Sequence, residues 1–152
     1  MKILMVCLGN ICRSPMAEGV LRHLAHERGI EVETDSAGTG DYHVGEAPDR
    51  RAQAAMRRNG IDISDLRARQ FVATDFDRFD LLCAMDADNL RNMRRLAPSH
   101  AHAAKAVLIM DHAADHPLRE VPDPYYGGDE DFDDVHDMLM EACTNLLDHV
   151  QR

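Results

Sequence analysis

The chain is predicted to be an α/β protein, one doubly wound domain over residues 1–152 with a four-stranded parallel sheet and helices on both faces. Short apolar runs alternate with stretches of helical periodicity along its whole length, and strands separated by helices pair in parallel through right-handed crossovers. A length of 152 residues suits one domain, and such a chain buries about 68–70% of its unfolded surface, enough for a core without covalent staples. No internal repeat or low-complexity linker interrupts the alternation.

Lys2 to Val6 reads as a short buried strand. Pro15 to Arg28 follows as a helix with Met16, Val20, Leu21 and Leu24 at helical spacing and Gly29 as its stop. Ser14 is placed at its N-cap and Pro15 at its first position, where a missing N–H costs nothing. Ile30 to Ser36 is the second strand, and Pro48 to Asn59 a helix that turns Ala52, Ala55 and Met56 inward before Gly60. Phe79 to Ala84 is the third strand, Ala87 to Leu96 a helix ended before Pro98, and Ala106 to Met110 the fourth strand. The last helix, Phe132 to Val150, lines Phe132, Val135, Leu139, Ala142, Leu146 and Val150 along one face. Between them Asp111 to Asp131 stays irregular, with three prolines and Tyr125-Tyr126-Gly127-Gly128. A loop of that length in a compact domain is often functional.

The first strand runs straight into Cys7-Leu8-Gly9-Asn10-Ile11-Cys12-Arg13-Ser14-Pro15, at the carboxyl end of a strand where open α/β sheets bind ligands. Five residues between a thiol and a guanidinium can wrap so that backbone N–H groups point inward, and the helix that follows adds the positive end of its dipole. Gly9 is assigned a close backbone approach or a positive φ, and Asn10 tolerates left-handed geometry. Arg13 offers a planar fork for two phosphate oxygens. The loop is therefore an anion cradle over a nucleophilic thiolate. A bare cysteine-x5-arginine recurs by chance, as a buried strand-end cysteine and a surface arginine; the strand before it and the Ser-Pro helix start after it argue for the cradle.

Formal charge is −10, with 27 acids against 17 bases. That excludes an extended nucleic-acid track, which needs a basic face. No apolar stretch approaches the roughly 20 residues of a membrane span, and the N-terminus does not read as a signal peptide. Cys7, Cys12, Cys83 and Cys143 form no Cys-x-x-Cys pair, so a reducing cytoplasm is expected.

With Cys7 to Ser14 joined to Asp123-Pro124-Tyr125-Tyr126, the chain resembles the low-molecular-weight protein tyrosine phosphatases nearly end to end. Met16-Ala17-Glu18-Gly19, Asp35-Ser36-Ala37-Gly38-Thr39, Ala68-Arg69-Gln70 and Met85-Asp86-Ala87-Asp88-Asn89-Leu90 extend the likeness. It implies their flavodoxin-like fold and hydrolysis of protein phosphotyrosine, with Cys7 attacking phosphorus to give a phosphocysteine. Leu8, Gly9, Asn10, Ile11, Cys12, Arg13 and Ser14 would bind the phosphate, and Asp123 would act as general acid and then base. Asn10, Ser14, Ser36 and Asp86 would orient the loop. Tyr42, Tyr125 and Tyr126 would wall a slot deep enough for a phosphotyrosine ring, with Leu8 and Ile11 lining it. Cys12 would protect Cys7 from oxidation by pairing with it. No metal or other cofactor is implied. The implied partners are tyrosine-phosphorylated protein substrates, with a cognate tyrosine kinase left open.

Leu66 departs from the pattern, standing where many members carry a histidine that bonds the loop network, and His43 takes a variable rim position. Thioredoxin-linked arsenate reductases share the fold and loop but need two further cysteines, and Cys83 is better read as a core residue. Protein arginine phosphatases favour a threonine at Ile11, so Ile11 and the paired tyrosines favour phosphotyrosine. A non-catalytic phosphate-binding module is the remaining alternative. His112 and His116 share helical spacing with Asp111 and Asp115, but nothing else converges on them, so no metal site is expected. The acids from Asp129 to Asp134 fit a helix N-terminus better than a calcium loop.

Overall fold

A computed structural model describes residues 1–151. Strands β1 (Lys2–Cys7), β2 (Glu33–Gly38), β3 (Leu81–Ala84) and β4 (Ala106–Leu108) form one parallel sheet in the order β2-β1-β3-β4. The helices are α1 (Arg13–Glu27), α2 (Arg50–Arg58), α3 (Asp75–Arg78), α4 (Ala87–Arg95), α5 (His100–Ala103) and α6 (Asp129–Val150). Because side chains alternate along a strand, β1 feeds two cores. Ile3 and Met5 pack with the apolar faces of α1, α2 and α6, while Leu4 and Val6 pack with Phe71, Phe76, Phe79 and Met93. Both faces of the central strand are covered, which is why it reads as a continuous apolar run.

Several boundaries differ from the sequence expectation, each for a local reason. Ile30 belongs to the end of α1 rather than to β2: Gly29 N–H bonds the His26 carbonyl (3.2 Å) and Ile30 N–H bonds that of Ala25 (2.9 Å), the paired closure of a Schellman motif. Strand β3 starts at Leu81 because Phe79 N–H instead bonds the Asp75 carbonyl and ends α3. Ile109 and Met110, both buried, leave β4 for a 3₁₀ turn, Ile109–His112. Helix α2 starts at Arg50, capped by Asp49, whose carboxylate accepts from Arg51 N–H (2.8 Å). Helix α6 starts three residues before Phe132, where Asp131 accepts from Gly128 N–H (2.8 Å) and the acids favour the positive end of the helix. The four-residue helices α3 and α5 were not expected, since one turn is too short to show a period.

Candidate active site

Strand β1 delivers Cys7 to the carboxyl edge of the sheet, and residues 8–12 fold over it before α1 begins at Arg13. Asn10 takes the left-handed conformation (φ 57°), the backbone kink expected of it. Gly9 does not have a positive φ; its place is explained by close approach, because a Cβ there would stand 3.1 Å from His43 Cδ2. Gly38 has the same kind of role from the neighbouring strand, where a Cβ would lie 2.7 Å from the Leu8 carbonyl oxygen.

Ser14 is not the N-cap of α1. That position falls to Cys12, and Ser14 lies inside the first turn, fully buried, with its hydroxyl turned toward the loop. The reason lies in the polar network behind Cys7. Asn10 Oδ1 accepts from Arg69 N–H (3.0 Å), so its amide nitrogen faces two hydroxyls and donates to Ser14 Oγ (2.7 Å) and Ser36 Oγ (3.0 Å). Ser36 passes its own hydrogen to Glu18 Oε1 (2.7 Å). Ser14 has then accepted from Asn10, and Cys7 Sγ at 3.0 Å is the nearer taker of its hydrogen, the Ala37 carbonyl being at 3.5 Å. Asn10 N–H also points at the sulfur (3.2 Å). Apart from the part-buried Arg69 N–H bond, every contact in this network is buried, where an unmade hydrogen bond is expensive, so the network holds one arrangement.

Arg13 is 4% exposed and bonds Asp86 Oδ2 (2.7 Å) and the Val121 carbonyl (3.0 Å), both through Nη1. Burial opposes its charge, but Cys7 and the Asp86 carboxylate outweigh that and raise its pKa above the ordinary value. Asp86 divides its oxygens: Oδ1 caps α4 through Asn89 N–H (2.8 Å), and Oδ2 holds Arg13. Asp86 therefore acts on the loop through the arginine.

These elements enclose a cleft of about 360 Å³. Cys7, Leu8, Gly9, Ile11, Cys12 and Arg13 line it from the loop side, and Tyr42, His43, Asp123, Tyr125 and Tyr126 from the opposite walls. Tyr126 is 93% exposed and forms a lip, set edge-on to Tyr125 with ring centroids 4.9 Å apart. Asp123, on the long loop before α6, accepts from Tyr125 N–H (3.1 Å). The side chains of Asn10, Ser14 and Ser36 meet behind the loop and do not line the cleft, although Asn10 and Ser14 were expected among the phosphate ligands. Burial, followed by the charges of Asp49, Cys7 and Asp123, drives the Cys12 thiol pKa well up. Leu66 packs against the apolar core.

Three residues of the site were missed in the sequence. Glu18 is buried beneath Ser36, and burial pushes its pKa up against the opposing effect of the Ser36 hydroxyl. Arg69 supplies the N–H that orients Asn10, while its guanidinium bridges Asp35 and Asp75 at 3.0 Å each. Arg51 bonds the Tyr125 and Gly127 carbonyls. Glu18 and Arg69 stand in stretches that carry the family likeness but with no role attached, and Arg51 carried a signal of its own: the first turn of α2 has two arginines and no acid, the wrong sign for a helix N-terminus.

Among the described residues no group of three or more His, Cys, Asp or Glu side chains is placed to hold a metal ion. No helix among them is long and apolar enough to cross a membrane.

The family model for low molecular weight phosphotyrosine protein phosphatases matches residues 2–152. A low molecular weight protein-tyrosine-phosphatase of Streptomyces coelicolor is 46% identical over 150 residues, covering 96% of this chain and 91% of its own length. The crystal structure of a protein tyrosine phosphatase from Entamoeba histolytica, with Hepes in its active site, superposes with a TM-score of 0.95 at 38% identity, covering 99% of this chain and 97% of that one. A Drosophila arginine phosphatase superposes with a TM-score of 0.94 at 32% identity, covering 100% and 99%. Sheet, loop and relatives together define a protein-tyrosine phosphatase. The chain belongs to the low molecular weight phosphotyrosine protein phosphatase family.

Proposed function

We propose that this chain, working as one domain, hydrolyses protein phosphotyrosine through a phosphocysteine intermediate, with Cys7 as nucleophile, Arg13 and the loop amides as phosphate ligands, and Asp123 as general acid and base. The observation that carries this is the set of donors converging on the Cys7 sulfur, Ser14 Oγ at 3.0 Å and Asn10 N–H at 3.2 Å, in a cleft that also holds Arg13 and Asp123. These contacts fix the sulfur at the floor of the cleft, where a nucleophile would meet phosphorus.

In the first step the thiolate forms an S–P bond as the P–O(aryl) bond breaks, and the Asp123 proton goes to the leaving phenolate. In the second, water attacks phosphorus, Asp123 takes its proton, the S–P bond breaks, and inorganic phosphate and the thiolate are regenerated. The Nε–Nη2 edge of Arg13 serves the equatorial oxygens. Ile11, Tyr42 and the paired tyrosines at the rim support a flat aromatic leaving group over a phosphoarginine side chain.

The test is steady-state kinetics on phosphotyrosine, phosphoserine and phosphoarginine peptides with EDTA present. Phosphotyrosine is expected to be the one substrate hydrolysed efficiently, and a preference for phosphoarginine or an absence of turnover overturns the assignment. Asp123→Asn should then slow phenyl phosphate by about 10²–10⁴-fold, and p-nitrophenyl phosphate far less, because nitrophenolate hardly needs a proton. Equal losses on the two would make Asp123 a structural residue.

Arsenate reduction is disfavoured by Cys83, which is fully buried, its thiol pushed up to about 12 by burial and by the Asp111 charge. Cys12 is the better redox partner. We propose that peroxide oxidises Cys7 to a sulfenic acid, which the Cys12 thiol attacks to give a Cys7–Cys12 disulfide and water, reversibly with added thiol. Cys12→Ser is expected to keep most activity and to lose thiol-dependent recovery after peroxide. Peptide mapping of the disulfide to Cys83 would sink this and reopen the reductase reading. Unpaired cysteines suit a reducing cytoplasm, the location we propose, with tyrosine-phosphorylated proteins as partners and a cognate kinase as their source.

A further inference from the structure

Asp123 sits on a loop with little regular structure, yet an arginine holds that loop on each side of it. Upstream, the Val121 carbonyl accepts from Arg13 Nη1 (3.0 Å), while Val121 N–H bonds the Met85 carbonyl (2.9 Å). Downstream, Arg51 Nη2 donates to the Tyr125 carbonyl (2.8 Å) and Nη1 to that of Gly127 (3.1 Å). Val121 and Tyr125 each stand two residues from Asp123.

The Arg51 guanidinium is itself aimed. Both Asp49 oxygens accept from it, Oδ1 from Nε and Oδ2 from Nη2, each at 3.1 Å. Its Cζ lies 4.7 Å from the centre of the Phe132 ring and 5.6 Å from that of Tyr125. One rigid fork therefore ties the start of α2 to the acid loop, to the first core residue of α6 and to the aromatic wall of the cleft. A lysine could not make those contacts together, since its ammonium is a single point with no fixed plane. The dipole of α2 disfavours a cation at this end, so the helix gives up some stability to keep one there.

We propose that Arg51 is a positioning residue for the general acid: it sets where Asp123 and Tyr125 stand over the phosphate loop without touching phosphate or the reacting atoms. This rests on the assignment of Asp123 as the acid. Untethered, the carboxyl spends less time within reach of the leaving oxygen. The loss then falls on proton donation and leaves anion binding alone.

The experiment measures kcat/KM, which reports the steps through formation of the phosphocysteine, on aryl phosphates ranging from p-nitrophenyl to phenyl. The variants are Arg51→Gln, Arg51→Lys, Asp123→Asn and the double variant Arg51→Gln/Asp123→Asn. Arg51→Gln is expected to cost about 10–100-fold on phenyl phosphate, the scale of a misplaced catalytic group. Its cost on p-nitrophenyl phosphate and on inhibition by inorganic phosphate should stay within about threefold, the scatter of an uninvolved site. Arg51→Lys should recover part of the loss. In the double variant, phenyl phosphate should turn over no more slowly than with Asp123→Asn alone, because a misplaced acid cannot matter once the acid is gone.

Additive losses in the double variant, equal losses along the whole series, or weakened phosphate inhibition would each overturn the proposal. If Asp123→Asn itself shows no dependence on leaving group, the assignment of the acid fails instead, and the two failures are told apart. Should Arg51→Gln not fold, Arg51→Lys, alone and with Asp123→Asn, carries the same comparison.

Discussion

Replacing Cys7 with serine is expected to lower turnover of p-nitrophenyl phosphate by about 10⁴-fold or more, the scale on which loss of a nucleophile acts, while inorganic phosphate still binds. A serine hydroxyl at the same place is not ionised at neutral pH and has no adjacent base to take its proton, so the S–P bond of the first step has no counterpart. The cradle survives the change. On the proposed reading its charge comes from Arg13, from the loop amides and from the start of α1; the sulfur gives up its contacts with Ser14 Oγ and Asn10 N–H to the serine oxygen, while the Asn10–Ser14, Asn10–Ser36 and Ser36–Glu18 bonds behind the loop do not run through it. Calorimetric titration with phosphate, beside the kinetics, separates the two roles. Wild-type-like activity in Cys7→Ser would remove Cys7 from the mechanism, and loss of phosphate binding would mean that the sulfur is needed to shape the loop.

Arg13→Lys is expected to reduce kcat by about 10²–10³-fold, the cost of losing a donor aimed at developing charge, and also to weaken phosphate inhibition. On the proposed reading Arg13 performs two tasks with one planar group: Nη1 holds Asp86 and the Val121 carbonyl, and its other nitrogens serve the anion in the cleft that Arg13 lines. An ammonium can serve one of these at a time. If it stays with Asp86, the phosphate loses its fork; if it moves to the phosphate, Asp86 and the upstream tether of the acid loop lose their partner. Both outcomes lower activity, so the lysine variant should fall close to Arg13→Ala. A variant that keeps full phosphate affinity and loses only turnover would assign Arg13 to the acid loop alone.

How much of this was legible in advance follows from the range over which each feature is built. The cleft floor comes from one run of eight consecutive residues, Cys7 to Ser14, of which all but Asn10 and Ser14 line it, and the curvature of that run depends on local backbone preferences such as that of Asn10. Such geometry is written in neighbouring residues, and the α/β alternation and inward faces of α1, α2 and α6 were equally readable because burial imposes a period on the chain. Even so, Ser14 was misplaced as a cap, because a serine before proline has the same local signature whether its hydroxyl turns to its own helix or to a buried sulfur.

The family resemblance named Ser36 and Asp86 for that loop, but which atoms they meet, and the parts of Glu18, Arg69 and Arg51, only the tertiary structure decided. Glu18 meets Ser36 across 18 positions, Arg69 meets Asn10 across 59, Asp86 meets Arg13 across 73, and Arg51 meets Tyr125 across 74. A hydrophobic period tells which face of an element turns inward, but a polar side chain has no period. Its partner is chosen by which elements the sheet order β2-β1-β3-β4 stacks side by side, and by the cost of leaving any buried donor or acceptor unmatched.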